Sequence, residues 1–242
     1  MQSGSTVLIT GAARGVGREL VAQCLAGGAR VVAFDSDEGA LRALPDALEL
    51  TCVAGDVSDA DHVARAVAAA DQRVDVLFSN AGVMDGLGRA DETSVEDFDR
   101  LLAVNLRGAF LVARAVLPGM VERGEGLIVT SASIAGLRGG RAGAAYTASK
   151  YGLVGLTLNL AATYAADGIR ANAVCPGPIA TDMTAGIDVA PSAVARRLRD
   201  AADRPEALPA EAVAAVAMFF TTTAARHLNG VVLPVDGGWT AF

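Results

Sequence analysis

The sequence predicts an α/β protein in which helices cover both faces of a doubly wound parallel sheet. Strand-like and helix-like segments alternate along the chain, which is typical of consecutive right-handed βαβ units. A cluster of glycines directly follows the first predicted strand. The 242 residues are 52% apolar, without a linker or an internal repeat, so we expect a single domain with one well-filled core.

Seven short apolar runs rich in β-branched residues are predicted to be strands. In chain order they are Thr6–Thr10, Arg30–Asp35, Glu49–Ala54, Val74–Ser79, Leu127–Ser131, Ile169–Cys175 and Val231–Val235. Because helical segments separate most of these runs, the strands are expected to pair in parallel.

Five segments have the spacing of helices: Arg18–Ala26, Asp59–Ala70, Ser94 to about Pro118, Tyr146–Asp167, and Pro209 to about Ala225. Ser58 with Asp61, and Ser94 with Asp97, have the spacing of N-terminal capping pairs. Pro209 is expected in the first turn of the last helix.

The least regular stretch, at about 181–208, mixes glycine, proline and arginine and is too long for a simple connector. We expect it to be a substrate lid. Its arginine group is interpreted as one solvated helix face rather than as a clamp for an anionic substrate; the group is Arg196, Arg197, Arg199 and Arg204.

Composition excludes several classes of function. The net charge of −7 disfavours nucleic acid and anionic membranes as partners. The longest apolar run, near Ala212–Phe220, is too short to span a bilayer, and Met1–Thr10 lacks the pattern of a secretory leader. We therefore expect a cytoplasmic protein with a small-molecule substrate.

Cysteine and histidine are too few for a disulfide framework or a histidine-rich metal site. The three cysteines (Cys24, Cys52 and Cys175) are widely spaced and are expected to be reduced thiols. His62 and His227 are the only histidines, which disfavours a Ser-His-Asp triad. No metal site is predicted.

The glycines after the first strand have the pattern Gly11-x-x-x-Gly15-x-Gly17. Glycine at such a place lets the backbone turn tightly and approach a pyrophosphate held at a helix N-terminus. The same triplet could be only a tight strand-to-helix turn. Its position between the first strand and the first helix favours a dinucleotide site in a Rossmann-like fold.

An acidic residue at the end of the second strand bears on which dinucleotide is bound. Asp35 lies 18 residues after Gly17, close to the spacing expected for an acid that accepts both hydroxyls of the adenosine ribose. A carboxylate there would repel a 2′-phosphate, so NAD is favoured and NADP is disfavoured. Arg14, inside the glycine loop, opposes this interpretation because it could pair with a phosphate.

Two further motifs follow the third and fourth strands. Asp56 could accept a hydrogen bond from the adenine amino group, or it could be a turn or capping aspartate. Asn80-Ala81-Gly82 ends the fourth strand, where small residues let a cofactor lie across the strand ends. Asn80 either contacts the cofactor or ties neighbouring strands together.

The candidate chemistry lies at the start of the fourth predicted helix. Tyr146 and Lys150 are four residues apart, so they share one helix face. Tyrosine has an ordinary pKa of about 10, and a neighbouring cation lowers it. Lys150 is the only lysine in the chain and could also reach the ribose hydroxyls of a nicotinamide cofactor. The alternative is an exposed helical pair; Tyr151 and Tyr164 have no lysine four residues ahead.

Two polar residues could complete this site. Ser133, thirteen residues before Tyr146, could hold a carbonyl or alcohol oxygen, although it could equally be a turn serine, and Ser131 is a rival. Asn105 is expected inside a helix, where asparagine is unfavourable, so it could hold a water that passes protons to Lys150.

Together these motifs resemble the short-chain dehydrogenase/reductase family, in its common cytosolic form of about 250 residues. The resemblance extends from Thr6 to Gly238. It is carried by Thr10–Gly17 (TGAARGVG), Asp56, Asn80–Gly82, Asn105, Ser133, Tyr146 with Lys150, and Pro176-Gly177.

The resemblance implies roles for these residues. Tyr146 is the acid/base, Ser133 orients the substrate, Lys150 holds the ribose and tunes Tyr146, and Asn105 supports a proton relay. Ile179 and Thr181 are expected to contact the nicotinamide carboxamide. The full set expected to bind the cofactor is Gly11, Arg14, Gly15, Val16, Gly17, Asp35, Asp56, Val57, Asn80, Ala81, Gly82, Tyr146, Lys150, Pro176, Gly177, Ile179 and Thr181.

The resemblance also implies the sheet order 3-2-1-4-5-6-7 and a homotetramer. The helices at Ser94–Pro118 and Tyr146–Asp167 would pair across one interface, and Val231–Gly238 would pack across another. Trp239 is expected at a subunit contact.

The sequence therefore favours an NAD(H)-dependent enzyme that moves a hydride between nicotinamide and a secondary alcohol or ketone. Two alternatives remain. An NADPH-dependent 3-oxoacyl carrier-protein reductase is opposed by Asp35 and by the negative net charge. A non-catalytic dinucleotide-sensing protein is opposed by the intact catalytic set. Arg138 and Arg141 are the candidates for contact with a substrate carboxylate; the substrate and the direction of reaction are not predicted.

Overall fold

The structure is a computed structural model that describes residues 4–181, residue 190 and residues 205–241. Most of the predicted lid at about 181–208, including the four arginines from Arg196 to Arg204, lies outside the described residues.

The described strands form one large sheet and one small one. Their bounds are β1 Thr6–Thr10, β2 Arg30–Asp35, β3 Leu50–Ala54, β4 Val76–Ser79, β5 Gly126–Ser131, β6 Ile169–Pro176, β7 Ile179–Ala180, β8 Leu208–Pro209 and β9 Val232–Val235. The seven longer strands are all parallel, in the order β3-β2-β1-β4-β5-β6-β9. Because β9 is the seventh strand predicted from the sequence, the predicted order is confirmed. The two-residue pair of β7 and β8 was not predicted.

Seven α-helices cover the sheet within the described part of the chain. They are α1 Gly15–Ala26, α2 Glu38–Leu41, α3 Ala60–Ala68, α4 Val95–Leu102, α5 Ala109–Arg123, α6 Ala144–Thr163 and α7 Ala210–Phe219. Buried side chains of α1 and α7 form a core on one face of the sheet, and those of α3, α5 and α6 form a core on the other face. The doubly wound arrangement is therefore confirmed.

The long helix predicted to end at Pro118 continues to Arg123 and ends at Gly124, which has a left-handed φ of +67°. Proline inside a helix removes one backbone hydrogen bond. The helix continues because Leu117 and Met120, on either side of the proline, are buried in the core.

The predicted cap at Ser58 is wrong. Ser58 donates both its N–H and its hydroxyl to Asp56 Oδ1, at 2.8 Å each, and is therefore already engaged in the preceding turn. The N-cap of α3 is Asp59, whose Oδ1 accepts from the N–H groups of Asp61 and His62. In contrast, Ser94 does cap α4, since its Oγ accepts from the N–H of Asp97 at 3.0 Å.

The last helix also differs from its prediction. Pro209 is the N-cap of α7 rather than part of its first turn, and α7 ends at Phe219. A separate 3₁₀ turn at Thr223–Ala225 follows it. The four-residue helix α2 was missed because so short an element has no readable periodicity.

The stretch Val95–Arg123 is long and apolar enough to cross a membrane by length and composition, which the sequence analysis did not anticipate. Here it lies along the sheet, with Val112, Val116 and Met120 in the core. Packing against the sheet therefore accounts for its apolar composition.

Candidate active site

The glycine turn after β1 is shaped by close contacts that only glycine allows. Gly11 has a left-handed φ of +63°, and a Cβ there would lie 2.8 Å from the Cα of Ala81. A Cβ on Gly17 would lie 1.9 Å from the carbonyl oxygen of Gly11. Helix α1 begins at Gly15, three residues before the predicted start, so its first N–H groups belong to the glycine turn itself. This cradle fits the pyrophosphate of a dinucleotide.

The end of β2 carries two carboxylates and one guanidinium. Asp35 Oδ2 accepts from the N–H of Ala13 at 2.9 Å, and its Oδ1 accepts from the N–H of Asp37 at 2.9 Å. Arg14 forms an ion pair with Asp37, with 2.6 Å between Nη2 and Oδ2. The N–H of Ala40 and the Arg14 guanidinium together lower the pKa of Asp37. The Arg14 guanidinium, which could favour a 2′-phosphate, is thus paired with the Asp37 carboxylate.

The third strand end supplies Asp56 and Val57. Asp56 forms the turn with Ser58 described above, and its N–H donates to Nδ1 of His62 at 3.0 Å. Val57 is buried against Gly108, where a Cβ would come within 2.7 Å of its Cγ2. The turn role of Asp56 is therefore present in the structure, and its contact with adenine stays a prediction.

Asn80 ties β4 to β1. Its Nδ2 donates to the carbonyl oxygens of Thr10 at 3.3 Å and of Gly11 at 3.1 Å. The N–H groups of Asn80 and Ala81 each donate to Thr10 Oγ1 at 3.0 Å. Gly82 then passes close to Lys150, since a Cβ on it would lie 3.5 Å from Nζ.

Tyr146 and Lys150 lie together in the first turns of α6, and both are buried, with 8% and 3% of their surfaces exposed. Lys150 Nζ lies 5.4 Å from the centroid of the Tyr146 ring and donates to the carbonyl oxygen of Ser131 at 2.9 Å. The Ser133 hydroxyl lies near enough to the Tyr146 side chain to lower the pKa of the phenol, and its Oγ also accepts from the N–H of Ala135 at 3.1 Å in the turn after β5. The structure thus separates the two serines: Ser131 holds the ammonium through its backbone, and Ser133 meets the phenol.

Burial is the main cause of the pKa shifts of Tyr146 and Lys150. Desolvation raises the pKa of Tyr146 to about 12, assisted by the negative charge of Asp85, while the hydrogen bond from Ser133 acts the other way. Desolvation lowers the pKa of Lys150 to about 8. The expected lowering of the tyrosine pKa is therefore absent in the chain by itself, because the loss of solvation of the phenolate outweighs the opposing effect of Ser133.

Asn105 lies in a π-helical segment, Ala103–Gly108, that joins α4 to α5. It is fully buried; its Oδ1 accepts from the N–H of Val83 at 2.7 Å, and its Nδ2 donates to the Val83 carbonyl at 2.9 Å and to Ser149 Oγ at 3.0 Å. These bonds tie α6 to the loop after β4. The prediction that Asn105 holds a water that passes protons to Lys150 stays a prediction.

The segment that follows β6 lies close to the glycine turn. The N–H of Gly177, after Pro176, donates to the carbonyl of Val235 at 2.9 Å. After Gly177 and Pro178, the chain forms β7, which begins at Ile179. Thr181 Cγ2 would lie 3.0 Å from a Cβ on Gly15. The predicted cofactor residues from the first and last parts of the chain therefore meet at one edge of the sheet.

Comparison with known proteins identifies the family. The family model described as "Enoyl-(Acyl carrier protein) reductase" matches residues 11–240. A 3beta-hydroxysteroid dehydrogenase 2 from Eggerthella lenta is 38% identical over 250 residues, covering 99% of this chain and 96% of the relative. The short-chain dehydrogenase/reductase olcF of Penicillium canescens is 36% identical over 250 residues, covering 97% and 96%.

Among solved structures, a 3-ketoacyl-(acyl-carrier-protein) reductase from Brucella melitensis complexed with NADH is similar at a TM-score of 0.88, with 31% identity over 98% of this chain and 99% of that chain. The chain belongs to the short-chain dehydrogenase/reductase family. It is an alcohol dehydrogenase or ketone reductase of that family, and its cofactor is a nicotinamide dinucleotide.

One predicted substrate contact of this short-chain dehydrogenase is engaged elsewhere. The Arg141 guanidinium stacks 4.3 Å from the centroid of the Trp239 ring and donates to the Trp239 carbonyl at 3.2 Å. Trp239 is only 7% exposed within its own chain, and its place at a subunit contact stays a prediction. Arg138 is exposed and donates to the carbonyl of Leu137 at 3.2 Å.

Within residues 4–181, 190 and 205–241, no group of three histidine, cysteine or acidic side chains could hold a metal ion. Cys24 and Cys175 are buried, which raises their pKa values to about 12 and about 11, and Cys52 is exposed. The thiols of Cys24 and Cys175 are thus poor nucleophiles at neutral pH.

Sequence reasoning missed Asp37 and Asp85 at this dehydrogenase's site. Asp37 engages Arg14, and Asp85 lies against the start of α6. Neither belongs to a motif, so no local signal in the sequence distinguishes them from other loop aspartates.

Proposed function

We propose that the protein is an NAD(H)-dependent oxidoreductase that transfers a hydride between nicotinamide and a secondary alcohol or ketone, with Tyr146 as acid/base. The observation that carries the proposal is the placement of the buried Tyr146 and Lys150 with the half-buried Ser133, next to Gly82 at the end of β4. A phenol, a hydroxyl and an ammonium in one desolvated place suit proton transfer at a carbonyl or alcohol oxygen.

The bound cofactor supplies or accepts the hydride. In the oxidation direction, the Tyr146 phenolate oxygen takes the hydroxyl proton of the alcohol; in the reduction direction, the phenol returns a proton to the ketone oxygen. The Ser133 hydroxyl holds the same substrate oxygen. Lys150, with a pKa of about 8, is protonated at pH 7, so its charge favours the phenolate form of Tyr146.

The residues present fit a dinucleotide. Gly11, Gly15, Val16 and Gly17 would hold its pyrophosphate, and Asp35 its adenosine ribose. Asp56 and Val57 would hold its adenine, and Asn80, Ala81 and Gly82 would line its path across the strand ends. Tyr146 and Lys150 would meet the nicotinamide ribose, and Pro176, Gly177, Ile179 and Thr181 would meet the nicotinamide. The carboxylates of Asp35 and Asp37 support NAD, since together they outweigh the single charge of Arg14.

A cofactor switch tests the preference for NAD. Asp35→Asn removes one charge at nearly constant shape, so the repulsion of a 2′-phosphate falls. We expect kcat/KM for NADPH relative to NADH to rise by about 10- to 100-fold, measured from initial rates with both cofactors. Glu122→Ala, which removes an exposed carboxylate on α5, is the control and should leave the ratio unchanged. A wild-type preference for NADPH contradicts the assignment.

The substrate is proposed to be a small-molecule secondary alcohol or ketone, and a reductase for 3-oxoacyl carrier proteins is the second candidate. The similarity to a 3-ketoacyl carrier-protein reductase complexed with NADH favours this second candidate. The net charge of −7 opposes it, because a carrier protein is itself acidic.

A substrate panel separates the two candidates. The purified chain is assayed with NAD⁺, NADH and NADPH against cyclic ketones and alcohols, 3-hydroxysteroids and a 3-oxoacyl thioester. Turnover of cyclic or steroidal substrates with NAD(H) supports the first candidate. Turnover confined to the thioester supports the second, and an absence of turnover with every member of the panel contradicts both.

We propose a homotetramer in the cytoplasm, with neither nucleic acid nor membrane as a partner; the substrate lid at about 181–208 stays a prediction, since most of it lies outside the described residues. Exposed apolar side chains on α5 and α6 support the assembly: Phe110, Tyr151 and Leu158 are 48%, 46% and 43% exposed. Phe110 also lines a groove with Leu102, Leu106 and Leu156, and we propose that a second copy of the chain fills it.

Leu158→Asp tests this assembly. A charge at the centre of a buried homomeric contact is strongly unfavourable, so we expect a species of lower mass than the wild type by size exclusion with light scattering. Leu48→Asp, at a fully exposed loop position away from these helices, should keep the wild-type mass. An unchanged mass for Leu158→Asp would argue against this face as the interface.

A further inference from the structure

Asp85 is a buried carboxylate in the loop that follows β4. It is 7% exposed, and its two oxygens accept three backbone N–H groups. Oδ1 accepts from Leu87 at 3.1 Å and from Gly143 at 3.2 Å, and Oδ2 accepts from Tyr146 at 2.9 Å. One side chain therefore joins its own loop to the helix that carries the acid/base.

The hydrogen bonds that Asp85 accepts replace the side-chain N-cap that α6 lacks. The N-cap residue is Gly143, which has no side chain to satisfy the first N–H groups of the helix. The N–H of Ala144 is accepted by the carbonyl of Gly88 at 3.0 Å, so the loop at 85–88 serves three of these donors. The start of α6 is thus held by a segment about sixty residues earlier in the chain.

Both partners are shaped for this contact. A Cβ on Gly143 would lie 2.4 Å from Asp85 Oδ2, so glycine is needed for the carboxylate to approach. On the loop side, Leu87 has a φ of +61°, which is uncommon for a side chain of this kind. In this conformation the Leu87 N–H donates a hydrogen bond to the same Asp85 carboxylate.

We propose that Asp85 is a positioning residue that holds Tyr146 in place by capping α6 from the loop after β4. This rests on the proposed function, in which Tyr146 is the acid/base. The bond to the Tyr146 N–H fixes the backbone of that residue relative to β4, whose end carries the cofactor motif Asn80-Ala81-Gly82. A shift of about 1 Å in such a group can lower turnover by about 100-fold.

Asp85 also places a negative charge near the phenol. The polar groups that face Tyr146 are Lys150 from its own helix, Ser133 after β5 and Asp85 from the β4 loop. Of these three groups, Asp85 is the one whose negative charge disfavours the phenolate form of Tyr146. Removing its charge therefore shifts the titration of Tyr146 to lower pH, an effect that loss of helix stability alone does not produce.

The test is Asp85→Asn in the full chain. One amide oxygen can still accept a bond, but the NH₂ group cannot accept from a second N–H, so the cap is incomplete. We expect kcat for alcohol oxidation to fall by about 10- to 100-fold, the rising limb of its pH profile to move to lower pH, and the Kd for NADH from fluorescence titration to stay within about twofold of wild type.

Two variants accompany it. Gly143→Ala crowds the carboxylate without removing its charge, so kcat should fall while the pH profile keeps its position; it also provides a test if Asp85→Asn does not fold. Asp75→Asn is the matched control, since Asp75 comes just before β4, at the end of the strand opposite to Asp85, and accepts from the N–H of Thr6 at 2.8 Å. It should lose stability while kcat and the pH profile stay unchanged.

The outcomes separate this inference from the proposed function. If Tyr146→Phe is inactive while Asp85→Asn and Gly143→Ala keep wild-type kcat and pH profile, the Asp85 proposal alone is overturned. If Tyr146→Phe retains turnover, the proposed function fails and the Asp85 proposal fails with it. A loss of kcat in Asp75→Asn equal to that in Asp85→Asn would also overturn the positioning role.

Discussion

Tyr146→Phe should lower kcat by about 10²- to 10⁴-fold, the contribution typical of a positioned general acid or base. The change removes one oxygen and leaves the ring, the helix and Lys150 in place. Cofactor binding should persist, because the glycine turn and Asp35 are untouched. The measurement is the rate of reduced nicotinamide formation with the best alcohol from the panel, together with NADH titration by fluorescence.

Tyr151→Phe is the matched control for this variant. Tyr151 lies on the same helix but is 46% exposed and has no lysine one turn ahead. It should keep wild-type kcat. Retained turnover in Tyr146→Phe would falsify the mechanism.

Lys150→Met should abolish most turnover and yet stabilise the fold at neutral pH. Burial lowers the pKa of Lys150 to about 8, below that of an unfolded lysine. The unfolded chain therefore binds more protons between about pH 8 and about pH 10.4, and the stability of the wild type rises with pH across this window. Below it, the buried ammonium disfavours folding, and methionine removes that cost.

The expected gain in the free energy of unfolding is about 2 kcal/mol at pH 7, after allowing for the lost bond to Ser131. It should shrink as the pH is raised toward 10, because the wild-type lysine then becomes neutral. Urea unfolding at pH 7 and at pH 10 measures both values, and turnover at pH 7 should fall by at least about 100-fold. A destabilised variant at pH 7, or one with normal turnover, contradicts the prediction.

Local patterns predicted most of the fold. The strands were recognisable because each is a short run of β-branched and aliphatic residues, and Ser94 was recognisable as a cap from its spacing to Asp97. The order of the sheet came from the resemblance to a family. Three features escaped prediction because tertiary packing overrides local preference: α5 continues through Pro118, the segment Ala103–Gly108 is π-helical, and Asp59 rather than Ser58 caps α3.

The residues of the candidate site also divide into those that local spacing predicts and those that depend on tertiary contacts. Tyr146 and Lys150 were found because four residues make one helical turn, and the structure brings Ser133 to the same place. The direction of the tyrosine pKa shift was wrong for the chain alone, since spacing reports a neighbouring charge but not the loss of water around it. Long-range partners such as Arg141 with Trp239 also leave no trace in a single sequence.

The burial of Lys150 has a practical consequence for chemical labelling. Since it is the only lysine, amine-directed reagents find no side-chain target on the outside of the folded protein. Under the proposed function, a bound dinucleotide would shield the Lys150 amine from an acylating reagent, so the rate of Lys150 acylation would report cofactor occupancy. Immobilisation or fluorophore attachment is better directed to the exposed Cys52 thiol.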